Sequence, residues 1–384
     1  MAVVTLNKKQ VAELVNGATK EILGESTVVT EDLAGVVDMG IALANANAYK
    51  NFVENLLVKI AKTYFVDRKY KGKAPNVYRD NFEYGQIVEK VRTKLDEAVD
   101  NQSWEIVDGG SYDDNVYVAN DVSVKLFMNN VAFEVRKSIT NKQIKNAFTG
   151  ASELGKFVSM VMTAVDNSLT VKLDRLIMMT INNAIAEVYN NRTSVPTACI
   201  NLLAGYKAIH SNSTLTASTC LYDKDFLIYA GATIREVQSD IANYSTLFNQ
   251  TGTPVFTPAN LQHLVLLEKF EANMSTFAQS STFHDEFIKL PFHSTVNSWQ
   301  GTGTDNSLAS KGKIMVKTAS GNTVTVTGVI GALFDHDALG VTQDDPSVET
   351  HYVKSAQFTN YWFKENTMYF NDLDENFVVF YVAD

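Results

Sequence analysis

The sequence predicts an α+β fold, with helices and strands in separate blocks instead of the alternation of a doubly wound sheet. Three stretches carry that expectation. Ala147 to Asn191 is a long helical signal in a span with no proline between Pro75 and Pro196. Lys311 to Asp335 is β-rich, with Val324 and Val326 alternating with Thr323, Thr325 and Thr327. Asn376 to Val382 is an apolar closing strand that needs a partner in a sheet.

The long stretch comes first because it sets the dimensions. Apolar residues recur at Leu154, Val158, Val161, Val165, Leu169, Leu173 and Leu176, and a second row runs through Met178, Ile181 and Ile185. Lys156, Ser159, Thr163, Asn167, Thr170 and Asp174 form the polar row. If unbroken, about 40 residues make a rod of roughly 60 Å. The alternative is two helices broken near Asp166-Asn167-Ser168. Upstream, Lys8 to Leu23 is a helix candidate, and Glu31 to Phe65 is another with Thr30 as its N-cap. Residues 65–86 are basic, aromatic and turn-rich, and read as a long loop or hairpin that projects. Glu83 to Asp100 has helical or mixed spacing, Trp104 to Val107 a strand-like run, and Val122 to Phe127 a strand alternation. Thr140 with Gln143 is a capping-box pattern. Beyond Pro196, Leu221 to Ser245 and Asn260 to Met274 read as helical, with Gly252 to Pro258 a loop between them.

The chain has 384 residues, enough for two or three structural units, and a net charge of −10 that argues against general nucleic-acid binding. Its two cysteines, Cys199 and Cys220, are too few for a disulfide framework or a cysteine metal cage. The longest apolar run, Phe377 to Ala383, is too short to span a membrane.

Candidate chemistry is sparse. Gly150 to Phe157 (GASELGKF) nearly matches a phosphate-binding loop, but Phe157 replaces the hydroxyl that would bind magnesium and the segment fits the helix period. His284-Asp285-Glu286 with His293, and Asp335-His336-Asp337, hold metal-ligand residue types without metalloprotease spacing; turn and surface roles account for them. No nucleophile elbow occurs. Arg68, Lys69, Lys71, Lys73 and Arg79 interleave with Phe65, Tyr70, Tyr78, Phe82 and Tyr84. Basic residues among aromatics suit either single-stranded nucleic acid or a protein contact, and the acidic remainder favours another copy of the chain.

These pieces, in this order, resemble the major capsid protein of tailed double-stranded DNA phages. Local resemblances are Phe82-Glu83-Tyr84-Gly85, Ser138-Ile139-Thr140 to Phe148, Val165 to Ser168, Asp225-Phe226-Leu227 and Ser245 to Asn249. Further ones are Thr282 to Glu286, Leu333 to Gly340, and Tyr369 to Asp372 through Phe380. The resemblance implies the phage major capsid fold: an N-terminal helical arm at 1–64, an extended loop at 65–92 and a peripheral domain at 93–195 whose spine helix covers about 147–191. An axial domain at 196–310 and a β-rich return to the peripheral domain at 311–384 complete it. It implies a structural, non-catalytic protein that assembles as hexamers and pentamers into an icosahedral or prolate shell around double-stranded DNA. No sequence-specific DNA binding, cofactor, metal or membrane is expected. Subunit contacts are expected from Arg68, Lys69, Tyr70, Lys71, Arg79, Phe82 and Tyr84 of the loop. A portal at one vertex and assembly in the bacterial host cytoplasm follow from the same resemblance. Because the loop begins by residue 65, little room exists for an internal scaffold, so a separate scaffolding protein is expected. The alternatives are a cellular nanocompartment shell of similar fold, a metal-dependent hydrolase using His284, Glu286 and His293, and a single-strand binder using residues 65–84.

Overall fold

The computed structural model describes residues 8–23, 30, 35–45, 51–52, 55, 75, 77, 88–93, 98, 100–111, 117, 119, 122–142, 151–279, 293–300, 305–317, 323–343 and 347–384. The chain begins with helices α1 (Lys8–Leu23) and α2 (Val36–Asn45). The first takes the bounds its periodicity predicts. The second starts at Val36, where the Gly35 carbonyl accepts the Met39 N–H at 3.0 Å, and not at Thr30. Two strands follow, β1 (Val88–Thr93) and β2 (Val122–Phe127), which pair antiparallel as a separate ribbon. The helical or mixed reading of 83–100 is therefore corrected to a strand over β1, and Trp104 to Val107 is no strand but a 3₁₀ turn running into a loop. Strand β3 (Asn130–Thr140) leads to α3 (Ala151–Asn190), one unbroken helix of 40 residues.

That helix runs straight through Asp166-Asn167-Ser168. Val165, Leu169, Leu173 and Leu176 of the first apolar row are buried, as are Ile181 and Ile185 of the second, while Asn167 is exposed. Each such buried aliphatic side chain contributes about 1.5–3 kcal/mol relative to exposure. Both N-terminal helices, α1 and α2, pack against it, with Ala12, Val15, Ala18, Met39 and Leu43 buried.

The second half supplies most strands of two larger sheets and, among the described residues, a two-stranded antiparallel pair, Ile314–Lys317 with Thr323–Val326. Short β4 (Cys199–Asn201) precedes α4 (Leu202–Ile209) and α5 (Lys224–Asp240), both capped by side chains: Asn201 Oδ1 accepts the Ala204 N–H, and Asp223 Oδ1 the Phe226 N–H. Next come β5 (Gln262–Leu267), α6 (Glu268–Gln279), β6 (His293–Val296), α7 (Leu308–Lys311), β7 (Ile314–Lys317) and β8 (Thr323–Val326). The chain closes with β9 (Val329–Asp335), β10 (Leu339–Gln343), β11 (Ser347–Val353), β12 (Phe358–Asn371) and β13 (Phe377–Tyr381). The helix expected over Asn260 to Met274 is thus a strand followed by a helix. Its run His263-Leu264-Val265-Leu266-Leu267 is covered on both faces, and a short continuous apolar run does not distinguish strand from buried helix.

One sheet is five-stranded in the order β4-β13-β9-β5-β6. Every residue of β9 is buried, and β13 lies between β9 and β4. The closing strand therefore has partners on both edges. In the other sheet the long β12 has β3 along one edge and β11 then β10 along the other. Residues 311–384 divide between sheets: β9 and β13 join strands from 199–296, and β10 to β12 form a sheet with β3. The long helix touches β3, β10 and β12 of one sheet and β13 of the other, as well as β7 and β8. It is the beam on which both sheets rest. Asn182 Nδ2 on it donates to the Trp299 carbonyl at 2.7 Å, and the buried Trp299 indole donates to the Val329 carbonyl at 3.0 Å.

Candidate assembly surface

Strand side chains alternate between two faces. In the β1–β2 ribbon, Val91 sits opposite Val124, Thr93 opposite Val122 and Glu89 opposite Leu126. This face is turned to water: Val91 is 59% exposed, Val124 53% and Leu126 57%. The opposite face carries Lys90, Arg92 and Lys125, with Val88 and Phe127 at the root. A ribbon lying on its own protein normally turns apolar residues in and polar residues out. Here the order is reversed.

The inward cations meet a socket made by the turn between β12 and β13. Lys90 Nζ donates to Asp372 Oδ2 at 2.7 Å, to Glu375, and to the Asp337 carbonyl at 3.2 Å. Arg92 also binds Glu375. Lys125 Nζ donates to Asp372 Oδ1 at 2.9 Å and pairs with Asp374. Lys90 and Lys125 lie directly across the ribbon from each other, a repulsive pairing that Asp372 relieves by binding both. Burial alone would raise the Asp372 carboxyl, but the hydrogen bonds from Lys90 and Lys125 outweigh it and hold the group below the usual carboxylate range. Burial works against the Lys125 ammonium, and its bonds to Asp374 and Asp372 overcome that and raise it. The socket belongs to the body. Asp372 N–H donates to the Ala338 carbonyl at 2.6 Å, Gln250 N–H to the Leu373 carbonyl at 3.0 Å, and Asp335 N–H to the Asn376 carbonyl at 3.0 Å.

Between the two strands the described residues are strongly exposed and include large apolar groups. Trp104 is 95% exposed and Tyr117 88%, with Ile106 and Val107 also outward. Gly110 N–H closes a turn on the Val107 carbonyl at 3.0 Å, with Gly109 at φ 81°. That angle at the third turn position is the one glycine adopts without strain.

The expected contact residues Arg68, Lys69, Tyr70, Lys71, Arg79, Phe82 and Tyr84 lie outside the described residues. Within their segment Val77 is buried, and its carbonyl accepts the Val341 N–H of β10 at 3.1 Å. The described two-stranded element spans 88–127. Lys90, Arg92, Lys125, Asp372, Asp374 and Glu375 were not singled out by sequence reasoning. Their only local signal is the alternation V-E-K-V-R-T and V-S-V-K-L-F, which looks the same whichever face is wet.

Ala151 to Phe157 is the start of the long helix. His284, Asp285 and Glu286 lie outside the described residues, and His293 Nε2 is 3.9 Å from Glu271 Oε1. Among the described residues no group of three or more histidines, cysteines or carboxylates is placed to hold a metal. Asp335 accepts the Thr257 hydroxyl at 2.6 Å and the Asp337 N–H at 2.7 Å, and His336 Nδ1 lies 2.9 Å from His263 Nε2. Burial pushes the Cys199 thiol up to about 12 and the Cys220 thiol to about 11, which leaves both protonated and unreactive at neutral pH. No described helix is long and apolar enough to cross a membrane.

The chain belongs to the Phi29-like phage major capsid protein family, whose sequence profile matches residues 14–381. It is a structural protein of the phage capsid and not an enzyme. No curated protein matches it. Among solved structures, the capsid of Staphylococcus phage Andhra is similar at a TM-score of 0.47 and 10% identity, over 83% of this chain and 86% of that one. The capsid of cyanophage P-SCSP1u is similar at 0.43 and 10% identity, over 83% and 90%. Family membership rests on the sequence profile.

Proposed function

We propose that copies of this chain assemble as hexamers and pentamers into a closed icosahedral or prolate shell around double-stranded DNA, with the outward ribbon face laid on a neighbouring copy. The reversed polarity of the ribbon carries this reading. Val91, Val122, Val124 and Leu126 are half exposed or more, with Trp104 and Tyr117 beyond them. An apolar face that the subunit itself leaves uncovered is a face for a partner. The basic-aromatic residues Arg68, Lys69, Tyr70, Lys71, Arg79, Phe82 and Tyr84 add contacts to acidic surface on the same or another neighbour. The long helix, touching both sheets, supports a spine role that keeps the subunit stiff across the shell. The sheet containing β13 is assigned to the axial part and the sheet containing β12 to the peripheral part. A net charge of −10 limits adhesion to packaged DNA. A separate scaffolding protein, a portal at one vertex and assembly in the host cytoplasm complete the proposal.

The test is Val124→Asp with Leu126→Asp, expressed with the phage's other head genes. The expected result is a folded, soluble subunit and no closed shells by negative-stain microscopy. Normal shells would overturn the role given to the ribbon. The triple reversal of Arg68, Lys69 and Lys71 to Glu tests the second contact in the same assay.

A further inference from the structure

We propose that the β1–β2 ribbon is an ion-latched arm, held to its own subunit by Lys90, Arg92 and Lys125 in the Asp372-Asp374-Glu375 socket and freed to swing when that socket is neutralised or screened. Its use in assembly rests on the reading of the ribbon as a contact surface; the latch itself does not.

Four observations carry it. Among the described residues the ribbon pairs with no other strand, so no ladder of backbone hydrogen bonds ties it to a sheet. Its apolar face points away from the body, so hydrophobic burial contributes little to docking it. Among the described residues inward apolar contact lies at the root, where the Phe127 and Phe370 rings are 5.1 Å apart. What remains is charge: three cations on the ribbon and three carboxylates on a turn that backbone hydrogen bonds fix to the body.

Such a fastening differs in kind from a packed one. The Lys90 and Lys125 side chains are 21% and 39% exposed, so counter-ions reach them and salt weakens the attraction. Protonating Asp372 and Glu375 would leave Lys90, Arg92 and Lys125 crowded with less opposing charge. Among the described residues the other groups facing the socket are Asp337, whose carbonyl takes Lys90, and the buried Asp335 behind it; Glu89 points outward on β1. None of these adds a cation that could replace the lost attraction. The socket stays shaped when neutralised, because the backbone bonds of Asp372, Leu373 and Asn376 do not titrate. Release therefore frees the arm without unfolding the subunit. The strand-to-strand hydrogen bonds of β1 and β2 are independent of the socket, so the arm moves as one piece.

The experiment measures arm position in the full-length, unassembled subunit. Spin labels go on Ile106→Cys in the arm and Tyr244→Cys on the body, both at exposed positions, while the native Cys199 and Cys220 are buried. Electron–electron distance measurement at neutral pH and low salt should give one narrow distribution. Adding Asp372→Asn with Glu375→Gln should broaden it and extend it to longer distances, and high salt should do the same to the parent protein. Circular dichroism checks the fold of the variant; if it does not fold, the salt titration of the parent decides alone. A distribution that stays narrow at high salt overturns the latch. Loss of shells in Val124→Asp with Leu126→Asp, alongside an immobile arm, would keep the contact surface and discard the latch. Normal shells with a mobile arm would do the reverse.

Discussion

The β1–β2 ribbon and the pair β9–β13 are built from the same secondary structure and are stabilised by opposite means. In β9 and β13, Leu333, Phe334, Val378, Val379 and Phe380 are fully covered, and the long helix supplies part of that cover. In the ribbon the apolar residues face solvent and the charged ones face the protein. The first arrangement suits a part of the subunit that must not move. The second suits a part whose covering comes from elsewhere and whose own attachment responds to solution conditions.

Substitutions should separate the two regions sharply. The largest effect is expected in the body. Phe380→Ala removes a fully buried ring and should cost about 3–5 kcal/mol, read as a lower urea midpoint. Against a typical total of about 5–15 kcal/mol, much of the expressed protein would become insoluble. Gly328→Ala follows. Gly328 sits at φ 70°, and an added Cβ would lie 2.1 Å from the Val382 carbonyl oxygen, so a loss of at least about 1–3 kcal/mol is expected in the same assay.

Acid should next distinguish two carboxylates. Asp372 has a depressed folded value, so its stabilisation is present above the unfolded value near ~3.9 and is lost as pH falls through the folded one. Asp335 is shifted the other way, first by burial, so its ionisation opposes folding as pH rises through its folded value. Melting temperature against pH should therefore flatten at the acid end in Asp372→Asn. In Asp335→Asn it should lose a slope at higher pH. Identical profiles for both variants and the parent would remove the distinction. The smallest effect belongs to the outer ribbon face: Leu126→Ser should shift the subunit's own urea midpoint by less than about 0.5 kcal/mol equivalent, whereas Leu333→Ser should resemble Phe380→Ala. A large loss from Leu126→Ser would mean that the face is already covered by its own chain.

Legibility differed between the same two regions. The long helix could be read because its apolar rows persist at one period through Asp166-Asn167-Ser168, and nothing nearby competes. The β13 strand could be read because Phe377-Val378-Val379-Phe380 has no polar face to expose. At β5 the continuous apolar run was assigned to the wrong element, since burial on both faces erases the period that separates strand from helix. The ribbon was half legible: β2 alternates visibly, but its partner lies beyond 28 intervening residues, Lys94 to Asp121, and β1 was read as helical or mixed. The ion socket was not legible, because Lys90 and Asp372 are 282 positions apart in the chain.

Periodicity and composition alone pointed to the α+β class, a long helical segment over 147–191 and a closing strand that needs partners, because these depend on patterns within one segment; that the helix is unbroken at Asp166-Asn167-Ser168 came from the structure. The kinship with phage capsid proteins was legible from the same chain. Which ribbon face is wet, how residues 311–384 divide between two sheets, and which carboxylates hold Lys90 and Lys125 were decided by tertiary structure. An alternating strand specifies that two faces differ but not which one meets the protein, and that choice is made by partners far away along the chain.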